Sequence, residues 1–297
     1  MKIVQISSGL GNQMFQYALY IYLKNEGFNS FIDSKTNYNL SKQHNGYELE
    51  KVFHIKPKEI NEKMIKKYRL NKESLIDKLL KKIAINTTYY KEKREFIFDK
   101  TILKKKNEYL KGYWQSYKYI EPVENIIKEQ FQFKIDDFLL NEVNKKTLSN
   151  ILKTNSISVH VRRGDYYQGN NINKFGNITT LKYYEKAFKK ISTLVENPHY
   201  FIFSDDIEWC KKNLKEKNIH YVDANKKENS FIDMYLMSKC DHNIIANSSF
   251  SWWGAFLNSH EEKIIIAPSK WLHGQLYEET EIVPNEWIKI DENGREI

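Results

Sequence analysis

The sequence predicts an α/β fold, because β-branched strands and amphipathic helices alternate along much of the chain. The most regular part begins at Ser156, and we predict strands there at 156–161, 199–203, 219–222, 242–246 and 263–267. Helices are predicted between these strands, near 180–194, 206–217, 229–239 and 251–259. Such an alternation is typical of a doubly wound parallel sheet, whose ligands bind beyond the carboxyl ends of the strands.

The N-terminal half begins with a similar unit of strand, tight turn and helix. We predict strands at 2–6 and 28–33, with a glycine-containing turn at 9–12 and a helix at 13–23 between them. Further along, a strand ends in an aromatic loop at 109–116, and helices follow at 122–131 and 137–152.

A chain of 297 residues is long enough for two domains of ordinary size. We predict an N-terminal domain at 1–152 and a C-terminal domain at 153–297, with the helix at 137–152 linking them. No linker rich in Pro, Gly and Ser separates the two halves, so we expect them to share a tight cleft.

The composition is that of a globular protein, with 41% hydrophobic and 14% aromatic residues. No stretch approaches the roughly 20 apolar residues of a membrane-spanning helix, and no signal-peptide pattern follows Met1. We therefore expect a cytoplasmic protein. Cys210 and Cys240 lie far apart in sequence, so they predict neither a disulfide framework nor a metal cluster.

The formal net charge of +9 is concentrated in lysine runs within residues 56–106. Such a region is most often a solvated face, but it also suits peripheral contact with an anionic inner membrane surface. An amphipathic helix is predicted in this region, more typical of domain packing than of a membrane anchor, from the spacing of Ile76, Leu79, Leu80 and Ile83. Nucleic-acid binding is not favoured, because these lysines lie away from the strand-end motifs and no nucleic-acid-binding module is present.

Arginine is rare in this chain, yet two of its arginines are adjacent. Lysine supplies 42 of the 47 basic residues, whereas Arg162 and Arg163 stand together after the strand at 156–161. The planar guanidinium group forms two parallel hydrogen bonds to phosphate, which a lysine ammonium group cannot do. With His160 and Asp165, the pair predicts a site that stabilises a departing nucleoside diphosphate. An interdomain network of ion pairs is the alternative.

Two weaker signals also lie beside predicted strands. Asp205 and Asp206 follow the strand at 199–203, where a carboxylate either caps the next helix or accepts hydrogen bonds from a ribose or base. Near the N-terminus, a Gly-x-Gly turn lacks the glycine spacing of a dinucleotide fingerprint. Its side-chain amides are nevertheless suited to binding sugar hydroxyls, and the candidates are Gly11, Asn12 and Gln13.

A serine pair follows the strand at 242–246. Ser248 and Ser249 precede a predicted helix, a geometry that binds phosphate through hydroxyl groups and backbone N–H groups. Trp252 and Trp253 fall inside this helix, so we interpret them as core packing rather than as a sugar platform.

Together these blocks resemble the alpha-1,2-fucosyltransferases. The most specific block is His-x-Arg-Arg-Gly-Asp at 160–165. The blocks at 9–17 and 247–255 narrow the resemblance to the alpha-1,2 group. The ordered similarity covers nearly the whole chain and extends more widely to alpha-1,6-, nodulation and protein O-fucosyltransferases. It implies a GT-B type fold of two Rossmann-like domains facing a cleft, with GDP-fucose bound mainly by the second domain.

The resemblance also implies an activity: inverting transfer of L-fucose to the 2-hydroxyl of a terminal galactoside, without a cofactor or a metal. The acceptor would be a galactose-terminated oligosaccharide or lipid-linked glycan in bacterial surface-glycan synthesis, such as that of O-antigen. Arg162 would bind the diphosphate, with Arg163 nearby and His160 beside the nucleotide. The remaining implied donor-binding residues are Asp205, Asp233, which would read guanine, Ser248, Ser249 and Phe250.

The general base is left open by the sequence. Asp165 is the first candidate, but the interpretation we prefer for this carboxylate is that it orients Arg162 or Arg163. A dissociative path with little base assistance is also compatible with the sequence. The alternatives for the whole protein are another linkage, another GDP-sugar, or a nucleotide-sugar-binding protein without turnover. The arginine pair disfavours the last of these, since binding alone requires no support for a leaving group.

Overall fold

The structure is a computed structural model that describes residues 1–40, 44–61, 64–65, 89–135, 140–274 and 280–297. The chain divides into two compact units, Met1–Gln132 and Phe133–Ile297. Each unit contains one sheet, and the neighbouring strands in both sheets are parallel. The predicted α/β fold with parallel sheets is therefore confirmed.

The first unit is built on a four-stranded sheet with the order β2-β1-β4-β3. Its strands are β1 Lys2–Gln5, β2 Ser30–Asp33, β3 Tyr89–Lys91 and β4 Glu108–Lys111. Its helices are α1 Leu10–Asn25, α2 Thr36–Leu40, α3 Leu49–Phe53 and α4 Glu124–Gln130. Short 3-10 helices lie at Lys100–Leu103, Tyr117–Tyr119 and Glu121–Val123.

A buried ion pair joins the two central strands of this sheet. Lys2 lies opposite Glu108 in the pairing of β1 with β4, and Lys2 Nζ is 2.7 Å from Glu108 Oε2. Both side chains are buried, and burial lowers the pKa of Lys2. Because an unpartnered buried charge is costly, a shift in the pairing of these strands would be strongly disfavoured.

The short edge strand β3 was not predicted, and the amphipathic helix containing Ile76, Leu79, Leu80 and Ile83 lies outside the described residues.

The second unit is built on a six-stranded sheet with the order β7-β6-β5-β8-β9-β10. Its strands are β5 Ser156–Val161, β6 His199–Ser204, β7 Ile219–Val222, β8 His242–Ile244, β9 Ile265–Pro268 and β10 Ile288–Ile290. Its helices are α5 Glu142–Ile151, α6 Leu181–Ser192, α7 Ile207–Asn213, α8 Phe231–Lys239 and α9 Ser249–Phe256. Short 3-10 helices lie at Asp165–Tyr167, Gly169–Asn173 and Lys227–Asn229. The first five strands match the predicted order along the chain, whereas β10 was not predicted.

The strand order of this sheet contains one reversal. The chain runs from β5 outward through β6 to β7, then returns to the other side of β5 to form β8, β9 and β10. The carboxyl ends of β5 and β8 therefore flank the topological switch point, which is where open α/β sheets bind ligands.

The boundary between the two units differs from the predicted one. The division falls after Gln132, whereas the sequence placed it after Leu152 and counted the helix before it with the first domain. The structure places α5 in the second unit, because this helix packs against α8 and Asn144 hydrogen-bonds to Asn225. Helix α5 also begins later than predicted, since Asn141 caps it by accepting a hydrogen bond from the Asn144 N–H group.

Both tryptophans of α9 are buried in the second unit. Trp252 donates its indole N–H to the carbonyl of Ile282 at 2.8 Å, and the rings of Trp252 and Trp253 meet edge to face. They therefore serve core packing, as interpreted from the sequence. Within the described ranges, no helix is sufficiently long and apolar to span a membrane.

Candidate active site

The predicted site residues of the second unit gather at the carboxyl edge of its sheet. Val161, the last residue of β5, pairs with Ser204, the last residue of β6. The segment that follows β5 therefore lies beside Asp205 and Asp206, while β8 leads into the serine pair on the other side of β5.

Asp205 holds the turn after β5. Its Oδ1 accepts hydrogen bonds from the backbone N–H groups of Arg163 at 2.8 Å and Gly164 at 3.1 Å. A side-chain Cβ at position 164 would lie 2.6 Å from Asp205 Oδ2, so glycine permits this close approach. Asp206 instead caps α7, because its Oδ1 accepts a hydrogen bond from the Trp209 N–H group at 3.1 Å. The two adjacent carboxylates thus have different roles.

Arg162 lies between two carboxylates. Its Nη2 is 2.6 Å from Asp165 Oδ1 and its Nη1 is 2.7 Å from Asp205 Oδ2. The Arg162 side chain is 34% exposed, so its guanidinium group is partly open to solvent while its orientation is fixed. A guanidinium group stays charged throughout the physiological pH range, which gives this edge of the sheet a permanent, oriented donor of hydrogen bonds.

Arg163 points into a different environment. Its guanidinium carbon lies 4.1 Å from the Tyr167 ring centroid and 4.2 Å from the Trp209 ring centroid. Its Nε donates to Asp206 Oδ2 at 3.1 Å. This stacked and paired arrangement favours a positioning role for Arg163 over direct contact with a ligand.

His160 is a buried, neutral histidine within β5. Burial is the largest effect on its pKa and lowers it to about 4, with Asp205 acting in the opposite direction and Arg162 lowering it further. Its ring lies 5.9 Å from the Phe250 ring, and its Nδ1 has no hydrogen-bond partner among the described residues. A buried nitrogen without a partner marks a position where a ligand can supply one.

The serine pair begins helix α9. Ser248 is the buried N-cap residue, while Ser249 and Phe250 are half-buried in the first turn. The preceding Asn247 is fixed by its Nδ2, which donates to the carbonyls of Phe175 at 3.0 Å and Trp271 at 3.1 Å. The first N–H groups of a helix have no partner within the helix, so this fixed turn is suited to binding an anion.

Asp233 lies in the first turn of α8, beyond the carboxyl end of β7. Burial raises its pKa to about 7, against the effect of a 2.6 Å hydrogen bond from Asn225 Nδ2 to its Oδ1. Strand β7 is the edge strand and is separated from β5 by β6. Asp233 therefore belongs to a different part of the sheet edge from the Arg162 cluster.

The candidate residues of the first unit begin α1. Gly11 is buried, and Asn12 is half-buried and accepts a hydrogen bond from Gln115 Nε2 at 2.5 Å. Gln13 is fully buried: its Nε2 donates to the carbonyls of Ser8 and Gly46, and its Oε1 accepts from the Glu48 N–H group. The predicted contact of Gln13 with a sugar hydroxyl is therefore disfavoured, and the side chain instead holds the surrounding loops.

Sequence reasoning missed Glu92, which follows β3. Its carboxylate accepts hydrogen bonds from the backbone N–H groups of Tyr113 at 2.7 Å and Trp114 at 3.1 Å, and burial raises its pKa to about 7. A Cβ at Gly112 would lie 2.4 Å from Glu92 Cβ, so glycine is required for this contact. No local pattern indicates this role, because the partners lie some 20 residues away and β3 itself was not predicted.

Over the ranges that the structure describes, no three His, Cys, Asp or Glu side chains are grouped so as to hold a metal ion. The metal-independent mechanism stays a prediction.

Comparison with known proteins gives a consistent result. Residues 1–291 match the family described as Glycosyl transferase family 11. The O-antigen biosynthesis glycosyltransferase WbnK of Escherichia coli is 33% identical, with 96% of this chain and 99% of the relative aligned. An Alpha-1,2-colitosyltransferase of Escherichia coli is 30% identical over 97% of this chain and 98% of the relative.

Two further similarities are more distant. Human Galactoside alpha-(1,2)-fucosyltransferase 1 is 28% identical over 34% of this chain and 28% of the human protein. The crystal structure of fucosyltransferase NodZ from Bradyrhizobium superposes with a TM-score of 0.50 at 14% identity, covering 85% of this chain and 91% of that one. At this identity the structural similarity concerns the fold alone.

Proposed function

Because the chain belongs to glycosyl transferase family 11, we propose that it transfers L-fucose from GDP-fucose to the 2-hydroxyl of a terminal galactoside. The predicted membership of the alpha-1,2-fucosyltransferase family is confirmed by the match over residues 1–291 and by the two Escherichia coli relatives. The observation that carries the proposed activity is the position of Arg162, held by two carboxylates at the switch point of the second sheet.

The donor diphosphate would bind at this switch point. Arg162 lies on one side of it, and the start of α9 lies on the other, with Ser248, Ser249 and Phe250. A helix start and a guanidinium fork both favour a doubly charged diphosphate. His160 would donate or accept a hydrogen bond at Nδ1 according to its tautomer, without adding charge, because its imidazole is neutral at pH 7.

In the proposed reaction the acceptor 2-oxygen forms a bond to the fucose anomeric carbon as the bond from that carbon to the diphosphate oxygen breaks. Attack from the face opposite the diphosphate inverts the anomeric configuration. Negative charge grows on the departing GDP, and the fixed Arg162 fork would stabilise this charge. The acceptor proton passes to a base or to solvent.

The surrounding residues are proposed to position Arg162. Asp205 ties the backbone after β5 to β6 and also pairs with Arg162, while Arg163 is locked between aromatic rings. Asp165 was the first candidate for the base, but its 2.6 Å contact with Arg162 favours the orienting role instead.

The remaining parts of the proposal concern the acceptor and its setting. We propose that the first unit binds the acceptor glycan and that two Rossmann-like domains face a cleft in a GT-B arrangement. Peripheral contact of residues 56–106 with an anionic membrane stays a prediction, supported by the exposed side chains of Lys100, Lys104, Lys105 and Lys106. Failure of the chain to sediment with anionic vesicles at low salt would contradict this prediction.

A second candidate is transfer of colitose, and the observation that favours it is the 30% identity to an Alpha-1,2-colitosyltransferase. The two candidates share the site chemistry described above and differ in the sugar that the donor carries.

The test is a donor and acceptor panel. Purified protein is given GDP-fucose, GDP-colitose or GDP-mannose with galactose-terminated oligosaccharides, in excess chelator, and the product linkage is read by NMR. We expect GDP release that requires the galactoside and yields an alpha-1,2-linked fucoside with inverted configuration. Preference for GDP-colitose would select the second candidate. Loss of activity in chelator that a divalent metal restores would overturn the metal-independent mechanism, and donor binding without transfer would indicate a binding protein.

A further inference from the structure

Helix α5 and the loop after β7 are joined by two buried side-chain amides that take no part in the reaction described above. Asn144 Nδ2 donates to Asn225 Oδ1 at 2.8 Å, and Asn225 Nδ2 donates back to Asn144 Oδ1 at 3.0 Å. Asn144 is fully buried and Asn225 is 9% exposed. Because an unpaired buried amide is costly, this reciprocal pair holds both side chains in one orientation.

Asn225 also binds the carboxylate of Asp233. Its Nδ2 donates to Asp233 Oδ1 at 2.6 Å, so the bonds to Asn144 and Asp233 use both hydrogens of this amide. Asp233 Oδ2 has no hydrogen-bond partner in the part of the chain that the structure describes. The carboxylate therefore has one oxygen fixed by the protein and one oxygen available to a ligand.

We propose that Asn144 and Asn225 are positioning residues that orient Asp233 to select guanine over other purines in the donor nucleotide. The inference rests on the proposed function, and it takes from the family resemblance the expectation that Asp233 reads guanine. Guanine presents its N1–H and its 2-amino group side by side. Asp233 Oδ2 can accept one of these donors, and Oδ1, which accepts a bond from Asn225, has a second lone pair for the other. Hypoxanthine lacks the 2-amino group, and adenine offers no such adjacent pair of donors. With either base, at least one carboxylate oxygen lacks the hydrogen bond that guanine would donate.

The charges around Asp233 give this arrangement a pH dependence. Burial raises the pKa of Asp233 to about 7, the Asn225 hydrogen bond lowers it, and the nearby Asp223 raises it. Asp223 lies in the loop after β7 and is itself paired with Lys226 at 3.4 Å, whereas α5 presents the neutral amide of Asn144. Only the ionised carboxylate accepts both guanine donors, so GDP affinity falls as the pH drops below about 7.

The experiment compares the binding of GDP and inosine diphosphate to the full chain from about pH 6 to about pH 9. The wild type is expected to prefer GDP by about tenfold or more, the effect of one hydrogen bond to a charged group. Asn225→Ala and Asn144→Ala should each reduce this preference to about threefold or less. Asn225→Ala should also move the pH midpoint of GDP binding upward, because the carboxylate loses a donor that favours its ionised form.

The matched control is Asn258→Ala. Asn258 is another buried asparagine of the second unit, paired with Asn243 at 2.8 Å, and its loss should leave the preference and the midpoint unchanged. Should an alanine variant fail to fold, Asn225→Gln keeps the amide but displaces it, and should also reduce the preference.

The outcomes separate the inference from the function on which it rests. One outcome would overturn the inference and leave the proposed function intact. In it, Asn225→Ala keeps the wild-type preference for GDP over inosine diphosphate and the wild-type pH midpoint of GDP binding, whereas Asp233→Asn loses the preference. A wild type that binds GDP no better than adenosine diphosphate would instead show that the proposed function is wrong.

Discussion

At the scale of the residue, Gly164 sets the geometry of the candidate site. Replacement by alanine puts a Cβ 2.6 Å from Asp205 Oδ2, so either the turn or the carboxylate must move. Because Asp205 also holds Arg162, we expect Gly164→Ala to lower kcat/KM by about tenfold or more. The cost in stability should be about 1–3 kcal/mol, as for other overpacked positions. Initial rates and urea unfolding measure the two effects.

A suitable control is Gly27→Ala in the first unit. Gly27 has φ of +79° and nothing near its missing Cβ, so alanine should cost about 1 kcal/mol in stability. Activity should be unaffected, because α1 has ended before this turn. Equal activity of Gly164→Ala and wild type would show that the contact of residue 164 with Asp205 does not position the site.

The sequence predicted which residues lie at the site better than it predicted what each of them does there. His160, Arg162 and Asp205 were predicted as site residues, and the structure brings them together at one sheet edge. The local pattern did not distinguish Asp205 from Asp206, because both follow β6 and either could cap α7, and only the resemblance implied a donor-binding role for Asp205. Only the packing of β5 beside β6 assigns one to the turn and the other to the cap.

At the scale of the element, Glu92 links strand β3 to the loop after β4 and makes the stability of the first unit depend on pH. Its pKa is raised to about 7 in the folded chain from an ordinary value of 4.5, with burial as the cause. The folded state therefore binds more protons than the unfolded state between these pH values, and stability falls as the pH rises through this window.

We expect Glu92→Gln to flatten the dependence of unfolding free energy on pH, by on the order of 2 kcal/mol between about pH 5 and about pH 8. The two proteins are compared by the slope of unfolding free energy against pH. The difference between the slopes is used because other carboxyl groups with raised pKa remain in both the variant and the wild type. Urea unfolding at several pH values measures it, with the exposed Glu129→Gln as the control. Identical slopes for Glu92→Gln and wild type would contradict the raised pKa.

Elements with strong local signals were predicted well, and short elements were not. The strands β5 and β7 and the helix α6 lie close to their predicted ranges, since apolar patterning and caps define them. By contrast, β3 and β10 have three residues each and include a lysine, so no run of apolar residues marks them. Their strand character comes from pairing with β4 and β9, which local sequence does not encode.

At the scale of the whole molecule, the order of the strands creates the candidate site. The sequence predicted a parallel, doubly wound sheet, but it could not predict that β8 lies beside β5 across some 85 residues. That pairing brings the arginine segment after β5 next to the start of α9. Local sequence could not predict the boundary after Gln132 either, because this boundary follows from the packing of α5 on α8.

The most direct test of the proposed mechanism is the transfer rate of Arg162→Lys. The variant keeps a positive charge but loses the planar fork, so kcat should fall by about 100-fold or more while the affinity for GDP-fucose, in which this charge has not yet developed, changes far less. Arg295→Lys, at an exposed arginine paired with Asp291, should match the wild type. A kcat for Arg162→Lys close to that of the wild type would contradict a role for the Arg162 fork in stabilising the leaving diphosphate.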